Sequence, residues 1–286
     1  MMKDLFINKG AEEVMHETKM FSIIVVCLNA GDRLQDTLDS IWKQSYSDYE
    51  VIIKDGGSKD GSLSCVPKKD NVHLYREKDT GIYDAMNQAV RYAHGEYLLF
   101  LNTGDLFYDE QVLDRVASVI QKKKEEQSDF TGIIYGNLYH LGLESVIYAS
   151  PGINDFTCYR NVPCHQTCFY HRSMFEKRGY DVKYNVRADY EHFLWCYYEK
   201  KTEFVYTETI VASYEGGGYS ETKENRKRSA LQHKEIVIRY MGKAKYIKYR
   251  MILLLTLAPI RSKLAENEQF SKLYNAIKTW IYKKKG

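Results

Sequence analysis

Apolar residues along this chain fall into short β-branched or aromatic runs, separated by stretches in which they recur every three to four positions. That alternation marks strands interleaved with amphipathic helices. Phe21-Ser-Ile-Ile-Val-Val-Cys27 predicts a first buried strand, ended by Leu28-Asn29-Ala30-Gly31. Asp32 then stands where it can cap a helix whose Leu34, Leu38, Ile41 and Trp42 share one face. Tyr49–Lys54 predicts a second strand, so the pair encloses a right-handed βαβ unit. Val72–Arg76 gives another strand and Ile82–His94 a helix. Tyr97-Leu-Leu-Phe-Leu101, entered from Gly95, is apolar throughout and reads as a central strand of a mainly parallel sheet, buried on both faces.

The second half is less regular. Val112–Ile120 predicts a covering helix, Lys122–Ser128 a solvated charge run, and Gly132–Tyr139 a strand. Arg187-Ala-Asp-Tyr-Glu-His-Phe-Leu-Trp195 opens a helix, and strands are expected near Glu203–Tyr206 and Ile210–Tyr214. Gly216-Gly217-Gly218-Tyr219-Ser220 suggests a loop able to close over a ligand. Helices are expected over Lys223–Tyr240, Lys245–Leu257 and Glu266–Lys284.

Composition adds three limits. With 286 residues and 44% apolar content, the chain suits one large α/β domain with an appendage, and disorder throughout is excluded. Charge is uneven: from Lys223 onward there are 17 Lys and Arg against 4 Asp and Glu, a net of +13 within a chain of net +3, leaving the rest at −10. The basic tail, carrying Tyr240, Tyr246, Tyr249, Trp280 and Tyr282, fits an anionic membrane surface or a packed helical hairpin. It carries no recognised nucleic-acid module, so no nucleic-acid partner is expected. Met1–Met20 lacks an apolar signal segment. The run Met251–Ile260 is about half the roughly 20 residues a membrane span needs. The expected location is cytoplasmic, peripheral on the inner face of the cell membrane. Cys158, Cys164 and Cys168 cluster near His165 and His171, but without the CxxC spacing of a zinc site.

Chemistry is expected where the central strand ends, because open α/β sheets place their ligands at the carboxyl ends of strands. Asn102-Thr103-Gly104-Asp105 lies there, and a carboxylate in that position can hold a divalent cation, which in turn holds a diphosphate. The plainer reading makes Asp105 a helix cap. Upstream, Asp55-Gly-Gly-Ser-Lys-Asp60-Gly-Ser62 follows the second strand directly. Its glycines allow close approach of a ligand, Asp55 would accept a hydrogen bond from a base N–H, and Asp60 reads as the side chain of a tight turn.

Taken together, Leu28-Asn29, the Asp55–Ser62 loop, Asp79-Thr-Gly-Ile-Tyr-Asp-Ala-Met-Asn87 and Gly95-Glu-Tyr-Leu-Leu-Phe-Leu-Asn-Thr-Gly-Asp105 resemble the nucleotide half of a family 2 glycosyltransferase, and the likeness runs over about residues 20–215. The resemblance implies a GT-A fold, a Rossmann-like sheet flanked by helices with a C-terminal helical appendage. It divides the chain into an extension (1–20), a catalytic domain (21–220, nucleotide half 21–106 and acceptor half 107–220) and a basic helical region (221–286). It implies inverting transfer from a nucleotide sugar, usually UDP-linked, with Mn²⁺ or Mg²⁺, to a saccharide or lipid-linked acceptor in bacterial surface polysaccharide synthesis. Asn29, Asp55, Asp79, Asn102 and Gly104 would bind the donor, and Asp105 the metal. Asp189 would be the general base, with Glu191 its rival. His165, Gln166, Arg226 and Arg228 would contact acceptor or phosphate. Family members usually carry Asp-x-Asp where this chain has Asn102 and Gly104, so weaker metal affinity is expected.

Two other classes compete. A nucleotide-sugar-binding partner subunit would explain the missing carboxylates, although retention of Asp189 opposes it. A sugar nucleotidyltransferase would need a Gly-rich loop with Arg and Lys after the first strand, which Leu28-Asn29-Ala30-Gly31 does not supply.

Overall fold

The structure, a computed structural model, describes residues 18–160, 162–216 and 222–256. The N-terminal half runs β1 (Phe21–Cys27), α1 (Arg33–Trp42), β2 (Tyr49–Asp55), β3 (Val72–Arg76), α2 (Ile82–Val90), β4 (Tyr97–Phe100). It continues through β5 (Leu106–Phe107), α3 (Val112–Glu126), β6 (Ile133–His140), β7 (Ser145–Ile147) and α4 (Asp155–Arg160). Then come β8 (Cys168–His171), α5 (Ser173–Glu176), α6 (Ala188–Tyr198), β9 (Phe204–Tyr214) and α7 (Lys223–Leu255).

All strands join one sheet in the order β3-β2-β1-β4-β8-β6-β9-β5, with β7 beside β6. β3, β2, β1 and β4 are parallel, as the apolar runs predict. β8 enters antiparallel between β4 and β6, so the second half of the sheet is mixed. Alternate residues of β1 feed opposite faces. Ile23 and Val25 pack with Leu34, Leu38 and Ile41 of α1 and Val116 and Ile120 of α3. Ile24 and Val26 pack with Met86 of α2, Phe193 and Leu194 of α6, and Ile236 of α7. Gly95 is required where β4 begins, since a Cβ there would lie 2.4 Å from the Ser22 nitrogen.

Several boundaries differ from the sequence reading. Asp32 precedes α1 but its side chain makes no cap bond. α2 stops at Val90, and α3 runs on through Lys122–Lys124, whose charges occupy its solvent face. The two strands expected near 203–214 are one, β9; the polar interruption is a register shift against β6, stitched by Asn137 Nδ2 donating to the Glu208 carbonyl at 2.9 Å. The two basic helices are one run, kinked at Gly242, whose φ of 81° breaks the helical path between the two predicted segments. The predicted helix Glu266–Lys284, most of the glycine loop and most of the N-terminal extension lie outside the described residues. Among the described residues no helix is long and apolar enough to cross a membrane.

Candidate active site

The carboxyl edge of the parallel strands is built from loops that lock one another. Asn29, at φ 49°, donates its backbone N–H to Ser58 Oγ at 2.8 Å, and its Oδ1 accepts from the Lys59 amide at 3.0 Å. Asp60 is the turn residue expected, accepting from the Ser62 and Gly31 amides. Asp55, expected to face the donor, is engaged within its own loop. Its side chain is fully buried, and its oxygens accept from the Gly57 and Ser58 amides, the Ser58 hydroxyl and Arg76 Nε. Burial alone would raise its pKa, but the Ser58 bonds, Arg76 and Gly57 outweigh it and hold the carboxylate below its usual range. Asp55 therefore shapes the loop that follows β2.

Asp79 is paired with Lys54 at 3.0 Å, and Lys54, at the end of β2, is wholly buried. The ammonium also donates to the Glu77 carbonyl at 2.6 Å. Gly56 leaves room for this pair: a Cβ there would meet Asp79 Oδ2 at 2.7 Å. Beside it opens a cleft of about 410 Å³, between Val26, Cys27 and Leu28 at the end of β1, Asp79–Ala85 at the start of α2, and Val182 and Asn185.

At the end of β4 the structure brings together five of the predicted residues. Asn102 Nδ2 lies 3.1 Å from His165 Nε2, and His165 Nδ1 lies 3.3 Å from Asp189 Oδ2. Tyr83 of α2 donates its hydroxyl to Asp189 Oδ1 at 2.8 Å. Gln166 Nε2 donates to Asp105 Oδ1 at 3.4 Å. Asp189 occupies the first turn of α6, where the helix N-terminus favours negative charge. Its pKa lies below the ordinary value: burial works against ionisation, and the His165 bond and charge, with the Tyr83 hydroxyl, overcome it. Burial likewise opposes charge on His165, but Asp189 and Asp105 prevail and its pKa is raised. Asp105 has weaker support, and burial pushes its pKa up to about 6. It is not a helix cap.

A divalent cation has a donor set here, though a small one. Asp105 offers one carboxylate, and Asn102 Oδ1 is buried with no partner among the described residues. Mg²⁺-type ions are commonly held by one or two carboxylates plus substrate phosphates and water, so these residues fit a cation that arrives with the donor.

Other predicted residues are elsewhere. Glu191 is completely buried on the far side of α6, paired with Arg178 and with Arg239 and bonded by the Tyr240 hydroxyl. Two positions along a helix turn a side chain through about 200°, so Glu191 cannot share the Asp189 pocket. Arg228 is tied to Glu224 and Asn225 of its own helix, and Arg226 is exposed on α7; among the described residues neither bonds to a site residue. Gly104 has φ +93° and faces the Arg33 guanidinium. Lys54 and Tyr83, which bond to Asp79 and Asp189, and Arg33, which lies against Gly104, are residues the sequence reading did not single out. A lysine closing an apolar strand just before Asp55 was a visible signal for Lys54, and Tyr83 lay inside a quoted motif.

A parallel sheet with nucleotide-side loops on one edge, continued by antiparallel strands that carry a second cluster to the same edge, is the GT-A glycosyltransferase architecture. It superposes on S. aureus TarS residues 1–349 with a TM-score of 0.61 at 16% identity, covering 79% of this chain and 68% of that one. The chain spans 42% of the longer TarS chain. It also superposes on the mannosyltransferase PcManGT of Pyrobaculum calidifontis, described in complex with GDP-Man and Mn²⁺, at TM-score 0.58 and 16% identity, covering 91% and 84%. Residues 22–179 match Glycosyl transferase family 2, and the chain belongs to that family. Among curated relatives it is 36% identical over 210 residues to the PGL/p-HBAD biosynthesis glycosyltransferase of Mycobacterium bovis (strain BCG / Pasteur 1173P2), covering 71% of this chain and 80% of that protein. It is 32% identical over 178 residues to glycosyltransferase MT1564 of Mycobacterium tuberculosis (strain CDC 1551 / Oshkosh), covering 60% and 67%.

Proposed function

We propose that this glycosyltransferase moves a sugar, with inversion, from a UDP-linked donor to a hydroxyl of a saccharide or lipid-linked acceptor in bacterial surface glycan synthesis. The observation that carries the reading is Asp189, an ionised carboxylate fixed by Tyr83 and His165 a few ångströms from the end of β4. Residues 21–106 would bind the nucleotide, 107–220 the acceptor, and 221–286 would form the basic appendage. The acceptor oxygen attacks the anomeric carbon, its proton passes to Asp189, and the bond to the diphosphate breaks with its electron pair leaving on the phosphate. No covalent intermediate is needed. His165 keeps the carboxylate aimed and offsets the charge between Asp189 and Asp105. Asp105 and Asn102 Oδ1 would hold Mn²⁺ or Mg²⁺, which when bound offsets charge on the departing diphosphate. The UDP-GlcNAc named with the TarS fold neighbour supports a nucleotide-diphosphate sugar as donor.

Peripheral attachment to an anionic membrane fits the last turns of α7, where Ile247, Met251, Leu254 and Leu255 are exposed beside Lys243, Lys248 and Arg250. The second reading, a partner subunit without chemistry, is favoured by uncharged Asn102 and Gly104. Release of sugar from a panel of nucleotide sugars, with Mn²⁺ and with EDTA, separates the two. Turnover that disappears in Asp189→Asn supports the enzyme; nucleotide binding with no turnover on any donor or acceptor overturns it.

A further inference from the structure

We propose that Arg33, exposed at the start of α1, binds the diphosphate of the nucleotide donor beside the loop that carries Asp105; this rests on the nucleotide-sugar reading above. Arg33 opens α1 at the carboxyl edge of the sheet, and its guanidinium lies across Gly104. A Cβ at Gly104 would sit 2.7 Å from Nη2, 3.1 Å from Nε and 3.2 Å from Cζ, so the guanidinium rests directly on the backbone of a residue whose φ of +93° favours glycine. The loop under the guanidinium is anchored on both sides. The Gly104 amide donates to Thr37 Oγ1 of α1 at 2.9 Å, and Thr103 Oγ1 donates to the Val26 carbonyl at 3.0 Å. Val26 also lines the 410 Å³ cleft, so the loop that carries Gly104 is tied to the strand that walls the cleft.

Among the described residues no hydrogen bond or ion pair holds the guanidinium, although it lies near enough to Asp105 to lower that carboxyl's pKa. The cluster therefore offers one buried carboxylate and one unengaged guanidinium, with uncharged residues at 102 and 104. A strand-end crevice of that composition repels a diphosphate far less than a pair of carboxylates would. The planar fork of a guanidinium matches two phosphoryl oxygens, which neither a uridine nor a sugar supplies. Part of the charge compensation for the donor is thus built into the chain, and nucleotide binding should survive removal of metal.

The test is calorimetric titration of the full-length protein with UDP, UMP and uridine, in EDTA and in Mn²⁺. In EDTA, Arg33→Gln should weaken UDP about ten- to a hundredfold, the scale of a lost charged hydrogen bond. Uridine should bind both proteins alike, Arg33→Lys should fall between, and Mn²⁺ should shrink the difference. Arg33→Met, which keeps the aliphatic stem and removes the charge, should weaken UDP in the same direction and serves if Arg33→Gln folds poorly by its ligand-free melting curve. UDP bound by a folded Arg33→Gln protein as tightly as by wild type in EDTA overturns the role of Arg33 alone. A wild-type protein that binds neither UDP nor GDP under either condition overturns the nucleotide-sugar reading, and this proposal with it.

Discussion

Asp189 and Glu191 lie two residues apart in α6 and should fail in opposite ways when their charge is removed. Asp189→Asn keeps the shape and leaves its one amide oxygen for the Tyr83 hydroxyl, now bonded to Oδ1 at 2.8 Å, while the amide nitrogen takes the place of Oδ2, which His165 Nδ1 now approaches at 3.3 Å. The fold should persist, donor affinity should stay within a few-fold of wild type, and turnover should fall by about a hundredfold or more, the usual contribution of a general base. Glu191→Gln acts on stability. Glu191 is fully buried, and its two oxygens hold Arg178, Arg239 and the Tyr240 hydroxyl, joining α6 to the α5–α6 connection and to α7. Removing one partner of a buried pair costs roughly 3–5 kcal/mol. Arg178 and Arg239 keep 24% and 45% of their side chains exposed, so solvent recovers part of that and a loss of about 2–3 kcal/mol is expected. For a domain of this size that corresponds to a melting temperature lower by on the order of 5–10 °C. Turnover per folded molecule should stay near wild type. The assay is thermal unfolding beside initial-rate transfer at a temperature where both variants are folded. If Glu191→Gln abolishes transfer while Asp189→Asn stays active, the assignment of the base is wrong.

Three further outcomes follow from named contacts. Asp105→Asn should raise the Mn²⁺ concentration needed for half-maximal turnover and lower the rate, without lowering the metal-free melting temperature, because it removes a carboxylate that burial already disfavours; unchanged Mn²⁺ dependence removes Asp105 from the site. His192 is buried among Tyr170, Phe175, Tyr180 and Trp195 with no hydrogen-bond partner for either ring nitrogen among the described residues, and burial lowers its pKa to about 3. The unfolded chain takes up that proton near pH 6.5 and the folded chain does not, so stability should fall by roughly 1.4 kcal/mol per unit between about pH 6 and pH 3; denaturant midpoints in which His192→Phe shows the same acid slope as wild type would refute this. Met251→Asp with Leu254→Asp should release the protein from anionic liposomes in sedimentation, and equal sedimentation leaves that face of α7 without a lipid role.

The parallel half of the fold was legible because β1, β2 and β4 are buried on both faces and so are written as continuous apolar runs, which periodicity reads without tertiary knowledge. The mixed half was not. β8 is four residues long and β5 two, and both gain their strand character from neighbours distant in sequence, β4 and β6 for β8, and β9 for β5. The split assigned to β9 shows the same limit, since Thr207 and Thr209 look like a turn until Asn137 of β6 is seen bonding across them.

Within the site, what the sequence conveyed was residue type at strand ends and helix starts; what it could not convey was who faces whom. Asp55 and Asp79 are equally acidic in the sequence, yet Asp55 is closed around its own loop while Asp79 is held open at the cleft by Lys54. Glu191 and Asp189 differ by two positions, and helix geometry alone sends one to a structural ion pair and the other to His165. Arg33 was invisible for a related reason. As the first residue of an amphipathic helix it reads as solvated, as it is, and only the fold brings its guanidinium against Gly104, some seventy residues later. With Arg33 in the role proposed above, the uncharged residue at 104 and the guanidinium at 33 act together, and affinity for diphosphate should depend correspondingly less on a metal ion.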